Sequence, residues 1–269
     1  YPILKNCQGL RSCGILNGVV FFGGPGLYAS DWDSKASAAF VAYDADNDRI
    51  LGASSLSDVD GCKVVNVRRW RVVNNVLYVT VGITHPTTGK KIGALLRWYG
   101  DKNDPWKFHI VGLVDNEAAE LACFNNRIYI GTWATVSAVH VSPEIPEGGF
   151  TPVSIDSEMW PKVWTSDVAE PTKTLGRSIT SVAGFHEWRN HLYWGVFCPN
   201  YYVLSTAQST YGSLTSPDAL AFILGNYRTP SFWRIDKDNN YELLYGDTTN
   251  PKPVYDKEGK IENWELEPS

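Results

Sequence analysis

Two short acidic series are the first residues in this chain whose types and spacing suggest chemistry. Asp44, Asp46 and Asp48 form a D-x-D-x-D run, and Asp236, Asp238 and Asn240 form a D-x-D-x-N run. Alternate oxygens at this spacing can surround a hard cation such as Ca2+. Neither run carries the sixth-position glycine and distant bidentate glutamate of the helix-flanked calcium loop, and Asp and Asn also close ordinary turns. Ca2+ at Asp44, Asp46 and Asp48 is the one cofactor the sequence puts forward. The histidines are His85, His109, His140, His186 and His191, none at the spacing of a helical metal pair. His109 and His140 read as ordinary strand residues. His186 and His191 flank a turn with Glu187 between them, a place for a metal or for acid–base work. No G-x-S-x-G elbow is present, and Gly23-Gly-Pro-Gly26 lacks the Lys-Ser/Thr of a phosphate loop.

A second set of candidates comes from charge in apolar strands. Glu120 sits inside the otherwise apolar stretch 118–124, and Arg68, Arg69, Arg177 and Ser178 occupy comparable places. Asp167 and Glu170 fall in a connecting stretch near Trp160 and Trp164. An acid facing Arg177 would either hold a ligand or form a structural ion pair. Trp133, Tyr201 and Tyr202 complete the binding set, as rings able to stack on a sugar or a partner protein.

Composition narrows the classes. The 269 residues include 11 Trp and 14 Tyr but a single Met, a balance that favours half-buried pleated sheet. Net charge is −5, and no basic run exceeds the stretch 63–71, so a nucleic-acid partner is not expected. No apolar run approaches the roughly 20 residues of a membrane helix. The chain opens on Tyr1, which a removed leader or an internal fragment would each explain. Of the cysteines, Cys7 and Cys13 are spaced for a small disulfide loop, whereas Cys123 and Cys198 stand in apolar runs as small hydrophobes.

The elements that must position these groups repeat. Asn17-Gly18, Asn74-Asn75, Asn125-Asn126 and Arg189-Asn190 each precede an aromatic-rich strand, with intervals of 58, 51 and 64 residues between Asn17, Asn75, Asn126 and Asn190. Asn-Gly and Asn-Asn accept the positive φ of tight hairpins, so each pair marks a turn between two strands. A second hairpin follows each first one, including 138–141 turning through 143–149 into 150–153. The stretch 199–230 reads as a long loop and as the leading interaction surface. Four-stranded meanders repeated in this way, without amphipathic helices between them, are the blades of an all-β β-propeller. One domain, 1–269, is expected, with blades near 1–57, 62–114, 117–155 and 177–247. A partial fifth blade at 253–269 leaves the ring either closed at five or part of a larger propeller.

Several segments carry a resemblance: Asp104-Pro-Trp-Lys-Phe-His-Ile-Val-Gly112, Ala118-Ala-Glu-Leu-Ala122, Gly131-Thr-Trp133, Val141-Ser-Pro-Glu-Ile-Pro-Glu-Gly-Gly149, Trp160-Pro-Lys-Val-Trp164, His191-Leu-Tyr-Trp-Gly195 and Glu242-Leu-Leu-Tyr-Gly246. In this order the chain resembles secreted bacterial β-propeller proteins of unknown function, distantly similar to kelch-like propellers, over about residues 100–250. The resemblance implies a propeller fold and an exported location, secreted or periplasmic, but no activity. It departs at Leu175-Gly-Arg-Ser-Ile-Thr180, where that group carries a Gly-rich stretch. It also implies a further blade beyond Trp264.

The functional expectation is a non-catalytic scaffold that engages a protein or glycan through loops at one propeller face. The alternatives are a hydrolase of glycosidase or lactonase type, with carboxylates at the channel mouth, and a structural subunit of an extracellular assembly.

Overall fold

Strands β1 (Ser12–Leu16), β2 (Val19–Gly24), β3 (Ala39–Asp44) and β4 (Arg49–Ser54) pair in sequence order as an antiparallel meander. The same order repeats in β5 (Lys63–Val73), β6 (Val76–Thr84), β7 (Lys91–Trp98) and β8 (Phe108–Asp115). A third run comprises β9 (Glu117–Phe124), β10 (Arg127–Ala134), β11 (Ala138–Glu144) and β12 (Lys162–Thr165). A fourth comprises β13 (Thr180–Trp188), β14 (His191–Phe197), β15 (Ser231–Ile235) and β16 (Tyr241–Tyr245), and β17 (Lys252–Tyr255) with β18 (Ile261–Glu265) forms a separate hairpin. The computed structural model describes residues 4–5, 9–24, 38–134, 136–166, 180–197, 201–226, 230–246 and 252–265. Its sheets make an all-β, propeller-type fold of antiparallel meanders, the first two separate and the third and fourth joined through β10 and β13 into one eight-stranded sheet.

The tight turns form as their residues dictate. Both central residues are left-handed in Asn17-Gly18 (φ 50° and 70°), Asn74-Asn75 (48° and 60°), Asn125-Asn126 (48° and 54°) and Arg189-Asn190 (46° and 61°). Two consecutive positive φ values match the right-handed twist of the flanking strands, and Asn and Gly reach them at least cost.

The chain divides into two units, Tyr1–Thr132 with Val139–Val163, and Trp133–Ala138 with Trp164–Ser269. In the first unit the β5–β8 sheet is buried on both faces. Along β6 every residue from Val76 to Ile83 is buried, which is why the strand reads as a continuous apolar run rather than an alternation. One face packs Leu77, Val79, Trp98 and Phe108 against Phe21 and Phe40 of the first meander. The Phe21 ring stacks on Trp70 at 5.4 Å and meets Trp98 edge-on at 4.9 Å. The other face packs Tyr78, Leu95 and Val111 against Leu121, Ile128 and Phe150. Each such large side chain contributes about 1.5–3 kcal/mol by leaving water. Close approach also requires a missing side chain at Gly112, where a Cβ would collide with the Trp160 indole.

In the second unit β13–β16 buries Val182, Leu192, Trp194, Val196, Trp233 and Ile235 on one face. Trp164 closes this core edge-on against Trp194 (5.6 Å) and Trp233 (5.4 Å).

Two expectations are corrected. The stretch 199–230 contains helices α1 (Tyr201–Tyr211) and α2 (Pro217–Asn226) rather than one open loop. Ser216 caps α2, its hydroxyl accepting from the Ala219 N–H, while Val203, Ala207 and Ile223 form the buried seam. The fourth strand of the third meander is β12, not 150–153. Gly148 and Gly149 have φ of 76° and 87°, and with Pro146 and Pro152 they turn that segment off the edge of β11. It lies on the β5–β8 sheet instead.

Candidate functional site

β5 packs beside β1 and β9, and the charged residues expected on these strands meet there. Glu117 is buried and accepts from Asn66 Nδ2 and Arg68 Nε. Glu120 lies 3.7 Å from Arg69 Nε. Arg11 joins the group: burial lowers its pKa, the like charge of Arg68 adds to this, and Glu117 opposes it. Arginine guanidinia and glutamates on neighbouring strands thus bond one another, as a structural ion-pair network does. Arg177, Asp167 and Glu170 lie outside the described residues, so none of the other expected partners can be placed against Glu120.

The first acidic series closes the β3–β4 turn. Asp44 is buried; its Oδ2 accepts from Asn47 Nδ2 at 2.7 Å and its Oδ1 from the Asp46 N–H at 3.2 Å. Lys102 Nζ bridges Asp44 Oδ1 (3.4 Å) and Asp46, while Asp48 accepts from the Tyr43 hydroxyl. The Asn47 hydrogen bond, followed by Lys102, holds the Asp44 carboxyl below the usual range against the opposing effect of burial. The ammonium therefore stands where a shared cation would. Asp236 likewise folds its own turn, accepting from the N–H groups of Asp238 and Asn240 at 2.8 and 2.9 Å. Among the described residues no group of three or more His, Cys, Asp or Glu side chains is gathered to hold a metal. Cys13 is exposed, and Cys7 lies outside the described residues. Among the described cysteines Cys62 is buried, its thiol pushed up to about 11 by burial and then by Asp60 and Asp58, and Cys198 lies outside the described residues.

The histidines separate by partner chemistry. His85 accepts at Nδ1 from the Thr87 and Thr88 N–H groups (3.2 and 3.3 Å), so Nε2 carries its proton toward Asp156 at 3.0 Å. His140 is 1% exposed and faces an acceptor at each nitrogen, the Trp160 carbonyl at Nδ1 and Asp115 at Nε2, both at 2.7 Å. Both ring nitrogens are thus engaged by oxygens. Lys162 completes the set on Asp115. Burial pushes the Asp115 carboxyl up, but hydrogen bonds from His140 and Lys162 outweigh it and hold the group at about 2. This Asp–His pair is a clamp joining β8, β11 and β12. With Nδ1 committed to a carbonyl and the ring buried, it lacks the exposed nitrogen a general base needs. Nothing local in the sequence marks it, because its partners come from different strands.

The second unit carries the surface that sequence reasoning missed. On β14, Leu192, Trp194 and Val196 point to the core, leaving Tyr193, Gly195 and Phe197 on the opposite face. The register places His186, Tyr193, Arg234 and Glu242 in one row across the four strands. Ala183, Gly195, Phe232 and Tyr245 form the next row, and Trp133 lies opposite Ser181, which also faces Phe197. Trp188 is 53% exposed, Phe197 51%, Phe232 41% and Tyr245 77%. Tyr193 stacks on Phe232 at 5.9 Å, and Arg189 lies 4.2 Å over Trp188. Arg234 bonds Glu242 Oε2 through Nε (2.8 Å) and Nη2 (2.6 Å), and this pairing, with a further bond to Tyr193, raises its pKa. Of the rings singled out from sequence, Trp133 lies on this face. Tyr201 and Tyr202 open α1, and their side chains lie outside the described residues.

No protein-family profile and no curated protein matches the sequence. Among solved structures, a prolyl endopeptidase aligns with 93% of this chain at a TM-score of 0.44 and 9% identity. The chain spans about 31% of that enzyme's length, and a likeness at this level assigns no activity.

Proposed function

We propose that this chain is an exported, non-catalytic binding protein, and that the open face of β13–β16 engages a protein or glycan partner. The observation that carries this reading is the set of exposed rings on one face: Trp188, Phe197, Phe232 and Tyr245. Aromatic side chains in such number are normally buried, and a contiguous exposed group of them marks an interaction surface. Arg234, Glu242 and His186 on the same face add the polar contacts that give such a surface specificity.

A hydrolase reading asks for a carboxylate standing in a cleft with a shifted pKa. Glu120 is engaged by Arg69 and the buried His140 is committed at both nitrogens, so neither supplies such a group; Asp167 and Glu170 lie outside the described residues. The proposal is tested by arraying the protein on glycans and synthetic peptides beside a Trp188→Ala/Tyr245→Ala variant, with ester, lactone, glycoside and peptide substrates assayed in parallel. Ligand capture that the double variant loses, without turnover, is the expected result. Turnover of any substrate class, unaffected by the double variant, would sink it.

A further inference from the structure

The first unit shows what the open face of the second is shaped to hold. In the β5–β8 sheet the row across the strands is Arg71, Tyr78, Arg97 and His109. In the β13–β16 sheet it is His186, Tyr193, Arg234 and Glu242. Tyr78 and Tyr193 stand at the same place after their turns, in Asn74-Asn-Val-Leu-Tyr78 and Arg189-Asn-His-Leu-Tyr193, and each pairs with the arginine of the third strand. Over the Tyr78–Arg97 pair runs the segment that leaves β11. Its Phe150 N–H donates to the Tyr78 hydroxyl at 3.2 Å, and its Phe150 carbonyl accepts from Arg97 Nη1 at 2.7 Å. The Phe150 ring meets Tyr78 edge-on at 6.3 Å, and a Cβ at Gly149 would collide with the Tyr78 hydroxyl. Tyrosine and arginine one strand apart thus grip both main-chain groups of a single residue.

Resting on the binding reading above, we propose that Tyr193 and Arg234 form a peptide-binding site for an extended, uncharged Gly-Phe segment of a partner protein, gripped by the two main-chain hydrogen bonds that Tyr78 and Arg97 give Phe150. Charge matching selects this occupant. A lone guanidinium would draw phosphate or carboxylate, but Glu242 already neutralises Arg234, so the face offers directed N–H groups and neutral rings. Arg234 gives Glu242 bonds from Nε and Nη2 and bonds Tyr193, and with a side chain 34% exposed its five N–H groups are more than these contacts use. Phe232 and Tyr245 flank the row and supply the apolar wall that Leu121, Ile128 and their neighbours give Phe150 in the first unit.

The probe is the acetylated, amidated peptide Pro-Glu-Gly-Gly-Phe-Thr-Pro, the sequence of residues 146–152, titrated calorimetrically into the whole chain. Binding is expected, weakened about threefold to tenfold by Tyr193→Phe, the worth of one neutral hydrogen bond. A peptide N-methylated at Phe should lose a similar factor, and one with Ala for Phe should lose binding. Tyr193→Phe removes a hydroxyl whose other bond is to Arg234, and circular dichroism checks that the variant is folded. Absence of binding to the folded chain, or binding indifferent to both Tyr193→Phe and N-methylation, overturns the proposal. Chitohexaose or cellohexaose binding that Trp188→Ala abolishes, with no peptide binding, overturns it while leaving the binding-protein reading in place. A dimer in sedimentation that Phe232→Ala dissolves overturns it in favour of a second copy. If neither peptide nor sugar binds and Trp188→Ala/Tyr245→Ala changes nothing on the arrays, the broader reading falls with it.

Discussion

The β5–β8 and β13–β16 sheets are built from the same local pattern and meet different surroundings. Each has a tight turn with two left-handed residues, a following strand with Leu-Tyr at its second and third positions, and an arginine opposite that tyrosine. In the first sheet both faces are covered, and Tyr78 and Trp98 are at most 1% exposed. In the second, one face holds the core and the other presents Trp188, Phe232 and Tyr245 to water. Sheet twist and strand pairing come from the repeat, whereas the role of an aromatic residue on the sheet depends on what crosses it. The first sheet buries its aromatics in packed faces, and the second leaves several of its own exposed.

The sharpest break in this comparison is a pair of tryptophan truncations. Trp98→Ala should cost about 3–5 kcal/mol by leaving a cavity in the packed face. Trp188→Ala should change stability by no more than about 0.5 kcal/mol. Urea denaturation of both variants measures the gap, and equal losses would mean that the open face is core after all.

The next effect is acid sensitivity in the first unit. The Asp115 carboxyl, raised by burial but held at about 2 by His140 and Lys162, has a folded pKa below its unfolded one near about 4. Its contribution, about 2 kcal/mol, is present in full above about pH 4 and is lost as pH falls through about 2. Asp115→Asn should lower stability at neutral pH and flatten the slope between these limits, read from denaturation midpoints across the range. An unchanged slope would remove Asp115 from the clamp.

Smaller effects come from the paired tyrosines. Tyr78→Phe strips an acceptor from the buried Phe150 N–H and should cost about 1–3 kcal/mol, whereas Tyr193→Phe should leave the unfolding midpoint unmoved. A loss at Tyr193 matching that at Tyr78 would show the two rows to be equally covered. Last come the turns. Asn75→Ala places an ordinary side chain at φ 60° and should cost about 1 kcal/mol, and Asn75→Gly should cost less. The same two changes at Asn190 (φ 61°) should rank alike, because turn strain is local even where burial differs.

Much of the fold could be read along the chain. Asn-Gly and Asn-Asn announced hairpins because their tolerance of positive φ belongs to the residue itself. The helices in 199–230 were also signalled, by Ser216 before Pro217 and by Gly212 (φ 67°) after α1. The Ser, Thr and Tyr of the stretch outweighed those caps in a reading from composition. For the candidate sites, the charge on β5 and β9 was visible as polarity inside apolar strands, but its partners were not. Glu120 needed β5 beside β9 to find Arg69, and Asp46 needed a lysine 56 positions away. His140 passed for an ordinary strand residue because Asp115 lies 25 positions distant.

By itself, then, the sequence determined the repeating hairpin unit, since turn geometry and strand alternation depend on a few neighbouring residues. Tertiary structure alone decided whether the Tyr in that unit became core or surface. Tyr78 and Tyr193 share their local context, and only the passage of Gly149 and Phe150 over the first gives one a buried partner. Burial depends on what arrives from elsewhere in the chain, and no short stretch of residues encodes that.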